Sequence, residues 1–196
     1  MSLVLDPAAQ DLLFREARTA NTFTGEPVTE EQVQAIYDLV KYGPTAFNQT
    51  PLRITLVRSA EARERLVQHM AEGNRAKTAT APLVAILSAD NEFHEELPAL
   101  FPAFPQAKDV IFAERPAREG SATLNAALQA AYFIVGVRAA GLAAGPMTGF
   151  DHEGVRKEFL DDDHTPLMVV NIGKPGPDAW YPRGPRLAYE DVVTTV

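Results

Sequence analysis

Tyr42-Gly43-Pro44-Thr45-Ala46-Phe47-Asn48-Gln49-Thr50-Pro51 is the stretch that most constrains the fold and the site of this chain. It lies between an amphipathic helical pattern and an apolar strand pattern. Regular structure cannot continue through it, because Pro44 and Pro51 lack an amide donor and bias the preceding residues away from helix. We call it the cradle segment, since its hydroxyl, amide and backbone groups could hold a ligand. A plain helix-to-strand loop is the alternative interpretation.

The composition is that of an ordinary globular domain. The 196 residues are 46% hydrophobic and 22% charged, and this length fits a single domain over residues 1–196 with a substantial core. A net charge of −8 argues against a nucleic-acid partner, which would require a basic face. A single bound phosphate is still compatible with that charge, because screening over about 10 Å lets a few local arginines dominate.

The sequence contains no cysteine, so disulfides, thiolate metal sites and cysteine nucleophiles are excluded. No basic N-terminal patch precedes an apolar run, so we see no signal peptide. The apolar stretches look too short and too interrupted to cross a bilayer. We therefore expect a cytoplasmic protein without a membrane partner.

Capping residues and apolar periodicity predict the elements. Four predicted helices begin at a capping residue: Asp6, Thr29, Ser59 and Asp151. Gly73 is expected to end the third of them. Apolar runs of strand length occupy residues 53–57, 82–87 and 167–172. Because helices and strands do not alternate regularly, the pattern favours an α+β fold over a doubly wound sheet.

Three further segments have two interpretations each. Residues 90–118, rich in proline and phenylalanine, are either a long packed connection or a lid or dimer arm over a pocket. Residues 121–140 form the strongest helical pattern and are either central core or a subunit interface. The apolar stripe of that helix comprises Leu124, Leu128, Ala131, Tyr132 and Val135. The proline-rich tail from Gly173 is expected to run extended over this chain or a partner.

Familiar catalytic motifs are missing. There is no glycine-rich dinucleotide or phosphate loop and no serine elbow, and Pro98 stands where a zinc helix starting at His94 would need its second histidine. We therefore assign no residue a catalytic or metal-binding role. A chain of this kind is either non-catalytic or binds a cofactor that carries the difficult step.

Five segments, in order along the chain, resemble the nitroreductase family, whose enzymes hold flavin mononucleotide (FMN) at a dimer interface. They are Ala17–Phe23 with Glu26-Pro27-Val28, Pro44–Pro51, Asn74-Arg75-Ala76-Lys77, Gly141-Leu142 with Gly145–Asp151, and Arg183–Arg186 with Glu190–Val193. The sequence departs from the family pattern at Ala17 and Asn21, where basic residues are usual, and at Thr50, where glutamine is usual.

The resemblance implies a nitroreductase-like α+β fold, with a mostly antiparallel central sheet flanked by helices, in an intertwined homodimer. It also implies the cofactor-binding residues: Arg18, Thr19, Asn21, Pro44, Thr45, Ala46, Asn48, Asn74, Lys77, Pro146, Thr148, Gly149, Arg183 and Arg186. Arginine forks suit the phosphate dianion, Asn74 and Lys77 would face the polar edge of the flavin, and Gly149 permits close approach near N5. The departures at Ala17 and Asn21 shift phosphate binding towards Arg183 and Arg186.

The activity implied by the resemblance is that of an FMN-dependent reductase that oxidises NAD(P)H and relays hydride through flavin N5 to a small electrophile. Within the family, segments such as Pro185-Arg186-Leu187 look most like the malonic semialdehyde reductase branch of pyrimidine catabolism, which forms 3-hydroxypropionate. Arg53 is a candidate partner for the substrate carboxylate, or an outward-facing strand residue. A broad nitro- or quinone-reducing enzyme and a non-catalytic flavin-binding protein are the alternatives.

Overall fold

A four-stranded antiparallel sheet organises the chain, and the computed structural model describes residues 3–196 of it. The strands, β1 Leu52–Val57, β2 Leu83–Asp90, β3 Ala143–Met147 and β4 His164–Gly173, lie in the order β1-β2-β4-β3. β1 and β3 are therefore the two edges of the sheet. This confirms the predicted α+β class and the antiparallel sheet flanked by helices.

Nine α-helices accompany the sheet within residues 3–196. They are α1 Pro7–Gln10, α2 Glu30–Val40, α3 Ala60–His69, α4 Glu72–Thr80, α5 Leu97–Leu100, α6 Ala107–Val110, α7 Arg115–Ala139, α8 His152–Phe159 and α9 Tyr189–Val192. A π-helical turn at Asp11–Arg15 continues α1, and short 3-10 turns cover Ala46–Asn48 and Phe93–Glu96. The predicted capping residues act as expected; Thr29 and Gln32, for example, form a complete capping box on α2.

The central strand β2 separates two cores. Its residues alternate between them, since Leu83, Ala85 and Leu87 pack on one face and Val84 and Ile86 on the other. Helices α2 and α7 cover the first face, whereas α3, α4 and α8 lie on the second. A continuous apolar run is what a strand buried on both faces requires.

Helix α7 lies across all four strands, and it approaches α2 closely at Gly136. A Cβ at Gly136 would lie 2.3 Å from Cγ1 of Val40, so only glycine permits this contact. The helix begins at Arg115, six residues before the predicted start. By length and composition alone α7 could cross a membrane, contrary to the sequence expectation, but in the fold it is the central helix of the sheet.

The stripe predicted for this helix is not the face that the chain buries. Its buried residues are Ala122, Asn125, Ala126, Ala130, Phe133, Gly136 and Val137. Leu124, Leu128 and Tyr132 are instead about half exposed. Apart from Phe133, the buried face is made of small residues and one valine, which lets the helix lie close to the sheet, whereas Leu124, Leu128 and Tyr132 point outward.

The prediction that Gly73 ends the third helix was wrong. The helix α3 ends at His69, because the ψ of 141° at Met70 leaves the helical region, and Gly73 lies in the first turn of α4. Met70 is almost completely buried against Phe150, with which it forms a β-bridge. Tertiary packing of Met70 therefore overrides the local signal of glycine.

Residues 90–118 form a packed connection. Phe93 and Phe112 are buried with their rings 5.0 Å apart, and Phe47 of the cradle segment stacks edge-on against Phe101 and Phe112. The aromatic residues thus form a small third core beneath the cradle segment. The structure supports this interpretation over that of a lid.

Candidate functional site

Residues 17–24 run along the outer edge of β3 and begin the candidate site. The amide of Ala20 donates to the carbonyl of Ala144 at 3.2 Å, and the amide of Thr24 donates to the carbonyl of Lys174 at 2.9 Å. A Cβ at Gly145 would lie 2.8 Å from the carbonyl oxygen of Ala20. Glycine in β3 therefore lets this segment approach, and it fixes Arg18, Thr19 and Asn21 beside the sheet edge.

Helix α4 adds two polar side chains to the same edge. Asn74 and Lys77 are one turn apart, so they share a face of the helix. The amide nitrogen of Asn74 donates to the carbonyl of Gly149 at 2.9 Å, and Nζ of Lys77 lies 3.5 Å from Oδ1 of Asn21. These contacts join the N-terminal segment to the segment after β3, which carries Thr148 and Gly149, while Pro146 lies within β3 itself.

The C-terminal tail brings two arginines to this edge. A cleft of about 230 Å³ is lined by Ala17, Arg18, Thr19, Asn21, Tyr181, Pro182, Arg183, Gly184 and Arg186. We call it the arginine cleft. The guanidinium of Arg183 donates to the carbonyls of Arg15 and Ala17, which ties the tail to the N-terminal segment.

The charge in the arginine cleft is unbalanced. Among the residues described, Arg183 and Arg186 bond only to backbone carbonyls, and Arg18 has one weak ion pair of 3.4 Å with the exposed Glu16. The Nε of Arg18 is buried and has no partner. A buried donor without an acceptor is unfavourable, so this donor set fits an anionic group such as a phosphate.

The cradle segment lies elsewhere, directly before β1 at the opposite edge of the sheet. The amide of Ala46 donates to Oδ1 of Asn125 on α7 at 2.8 Å, and the side chain of Asn48 donates to the carbonyl of Leu100 at 2.9 Å. Phe47, Asn48 and Thr50 all have positive φ, between 39° and 53°. Three such residues need external anchors, since the left-handed conformation is strained for side chains other than glycine.

The structure therefore sorts the expected cofactor residues into two groups. Ten lie together at the β3 edge: Arg18, Thr19, Asn21, Asn74, Lys77, Pro146, Thr148, Gly149, Arg183 and Arg186. The other four, Pro44, Thr45, Ala46 and Asn48, lie at the β1 edge. Three strand spacings, about 14 Å, separate the edges, so one chain does not bring the two groups together.

Sequence reasoning missed the residues that hold the cradle segment. Asn125 and Gln49 are buried polar residues; Asn125 accepts from Ala46, and Gln49 bonds to Ser121 and to the carbonyl of Ala46. The sequence does indicate a role for Asn125, because it has the one amide side chain among the buried residues of α7, which are otherwise apolar. Polar residues on such a face usually have a specific partner.

Arg53 is engaged within the chain. Its guanidinium lies 2.5 Å from Oδ2 of Asp90 and donates to the carbonyls of Thr50 and Leu52 at 3.1 and 3.2 Å. It also lines a cavity of about 680 Å³ between α2 and β1, together with Asn48 and Thr50. Arg53 therefore borders the cradle segment but has its charge balanced by Asp90.

One group of side chains has the spacing of metal ligands. Atoms of Glu92, His94 and Glu95 lie within 4.8 Å of one another. Both carboxylates are already bound to cations, Glu92 to Arg118 at 2.9 Å and Glu95 to Lys108. These ion pairs neutralise the carboxylates, so the group has the character of a salt-bridge network.

The chain is similar to known proteins both in sequence and in fold. Residues 14–174 match the model of the nitroreductase family. A Streptomyces coelicolor protein that is provisionally named NADH dehydrogenase/NAD(P)H nitroreductase is 89% identical over the full length of both chains.

Among solved structures, the nitroreductase ydfN of Bacillus subtilis, also provisionally named, superposes with a TM-score of 0.87 at 24% identity. It covers 97% of this chain and 100% of its own. A nitroreductase from Exiguobacterium sibiricum in complex with FMN, again provisionally named, gives 0.83 at 19% identity, with 100% and 99% covered. The chain belongs to the nitroreductase family.

Proposed function

We propose that this protein uses the ten residues at the β3 edge to hold FMN and that it oxidises NAD(P)H to reduce a small electrophile. The observation that carries the proposal is the joining of the arginine cleft to Asn74, Lys77 and Gly149 along one sheet edge. Membership of the nitroreductase family and the FMN complex of a structural relative support the choice of FMN.

When bound, FMN supplies the hydride chemistry that the side chains of this chain lack. The arginines of the cleft neutralise the phosphate, and the hydrogen bond from Asn74 to Gly149 fixes the backbone of the glycine turn. Lys77, kept in place beside Asn21, would supply a positive charge next to the bound cofactor. The residues of this chain therefore bind, orient and stabilise, and they need not react covalently.

We further propose that the functional unit is a homodimer in which the cradle segment of one chain faces the arginine cleft of its partner. The separation of the two residue groups in one chain supports this arrangement. The strand β1 pairs only with β2 within residues 3–196, so its outer edge can accept a partner strand. Large exposed apolar residues also lie on the outward stripe of α7 and on the tail: Leu124, Leu128, Tyr132, Tyr181, Leu187, Tyr189 and Val192.

For the substrate we propose a small aldehyde acid, malonic semialdehyde, which is reduced to 3-hydroxypropionate. The sequence resemblance of the Gly145–Phe150 turn to that branch supports this choice. Arg53 borders the cavity next to the cradle segment and could exchange its bond to Asp90 for one to a substrate carboxylate. A second candidate is a nitroarene or quinone reductase, which the name of the Streptomyces coelicolor relative favours.

Acceptor assays test the function and the substrate together. Anaerobic NADPH should bleach the flavin spectrum, and malonic semialdehyde should restore it much faster than a nitroarene or a quinone. A flavin that NADPH leaves oxidised would indicate a non-catalytic flavin-binding protein. Rapid turnover of nitroarenes with none of the aldehyde would identify the second candidate.

Arg53→Ala should raise KM for the aldehyde acid by about tenfold and leave an uncharged acceptor unchanged, since it removes one charge-assisted contact. Arg58→Ala is the matched control, because Arg58 also binds a carboxylate and a backbone carbonyl, at Glu30 and Val28. Equal losses on charged and uncharged acceptors would show that Arg53 does not bind the substrate.

A further inference from the structure

Arg138, in the last turn of α7, is a cation without a counter-charge. Its side chain is partly buried, its Nε is buried without a hydrogen-bond partner, and within residues 3–196 no carboxylate lies within 4.0 Å of it. Burial and the neighbouring charge of Arg183 both lower the pKa of Arg138. The position is therefore unfavourable for a cation in the protein alone.

The surroundings of Arg138 connect it to the arginine cleft. Arg138 and Arg18 line a cavity of about 180 Å³ that Glu16, Leu142 and Trp180 also border. Ala17 and Arg18 line both this cavity and the arginine cleft, so the two adjoin each other. Arg138 thus lies next to the arginine cleft, at the end of α7, and is close enough to Arg183 for their charges to interact.

The position of Arg138 at the C-terminal end of α7 does not explain why its side chain is partly buried. A basic residue in the last turn is favourable because it complements the helix dipole, but an exposed side chain achieves this without desolvation. Arg138 is instead partly buried beside Arg18 and Arg183, where like charges accumulate. Within residues 3–196, the exposed Glu16 is the one carboxylate that forms an ion pair with any of these three guanidinium groups. Such a cluster is stabilised when a multiply charged anion binds.

We propose that Arg138 is an additional positioning residue for the cofactor phosphate, supplying positive charge from behind Arg18 and Arg183. This inference rests on the proposed placement of the FMN phosphate in the arginine cleft. Arg138 then lowers the stability of the apoprotein and raises the affinity for the phosphorylated cofactor. The two effects therefore have opposite signs, whereas a purely structural arginine would stabilise the apoprotein.

The test compares FMN with riboflavin, which has the same ring system and lacks the phosphate. Apoprotein is titrated with each ligand by flavin fluorescence, and the melting temperature is measured with and without FMN. The variants are Arg138→Met, Arg138→Lys and, as a matched control, Arg63→Met. Arg63 is a comparable half-buried arginine with an unpartnered Nε, but it lies on α3 and donates to the carbonyls of Val57 and Pro82.

Arg138→Met is expected to reduce the preference for FMN over riboflavin by about tenfold, while raising the melting temperature of the apoprotein. Arg138→Lys should keep most of the preference, which provides a result even if the methionine variant folds poorly, and Arg63→Met should keep all of it. An unchanged preference in Arg138→Met, or a loss of preference in Arg138→Lys as large as that in the methionine variant, would overturn the inference. A wild-type protein that binds both ligands equally would overturn the placement of the phosphate itself.

Discussion

Replacing Arg183 and Arg186 together with alanine is expected to leave the sheet and its covering helices intact and to yield protein without bound FMN. Both guanidinium groups line the arginine cleft, and among the residues described neither pairs with a carboxylate. Removing two charge-assisted contacts to a phosphate should reduce the affinity at least about 100-fold. The measurement is FMN content after purification, together with the dissociation constant of the reconstituted protein.

The control is a double variant that removes the same charge elsewhere. Arg65 and Arg115 are exposed to a similar degree and form ion pairs with Glu158 and with Glu119 and Asp163. Arg65→Ala with Arg115→Ala should therefore retain FMN. If the cleft variant retained stoichiometric FMN with unaltered affinity, the phosphate would have to bind outside the arginine cleft.

Leu128→Glu is expected to convert the proposed homodimer into a monomer and to remove the flavin at the same time. Leu128 is 47% exposed in the single chain and belongs to the outward apolar stripe of α7, next to Tyr132. A carboxylate buried there without a partner should raise the dimer dissociation constant at least about 100-fold. Light scattering combined with flavin absorbance measures both properties on the same sample.

Val110→Glu is the matched control for this substitution. Val110 is 71% exposed at the end of α6, outside the outward stripe of α7 and the tail, so a charge there should leave the dimer intact. A Leu128→Glu protein that stays monomeric and keeps its flavin would show that one chain forms the whole site.

The fold was largely predictable because its local signals agree with the tertiary structure. Thr29 with Gln32, Ser59 and Asp151 each cap a helix, and the apolar run 82–87 lies in the strand that is buried on both faces. The signal failed at Gly73, where burial of Met70 decides the end of α3. Local sequence also could not predict which stripe of α7 faces the sheet, because both stripes are apolar. The short distance between helix and sheet favours the stripe that is richer in small residues.

The sequence offers candidate residues for the site, and their assignment to FMN stays a prediction, whereas their arrangement in space requires the fold. Local sequence contains the motifs around Asn74 and Arg183, but it cannot reveal that the tail returns to the N-terminal segment through the carbonyls of Arg15 and Ala17. The anchoring of the cradle segment by Asn125 and the approach of Arg138 to the arginine cleft also depend on contacts distant in sequence. Such contacts can be recognised only when the fold is known.

The most direct test of the shared site is flavin stoichiometry in a mixed dimer. One chain carries Ala46→Glu, which puts a bulky anion on the exposed surface of the cradle segment, and the other carries Arg183→Ala with Arg186→Ala. The two chains are co-expressed with different tags, and the mixed dimer is isolated through both tags. If the cradle segment of one chain completes the arginine cleft of the other, each variant alone lacks FMN, whereas the mixed dimer has one intact site and binds one FMN. A mixed dimer that forms but binds no FMN would contradict the shared site, because that is the result expected if each chain supplies both groups of residues to its own site.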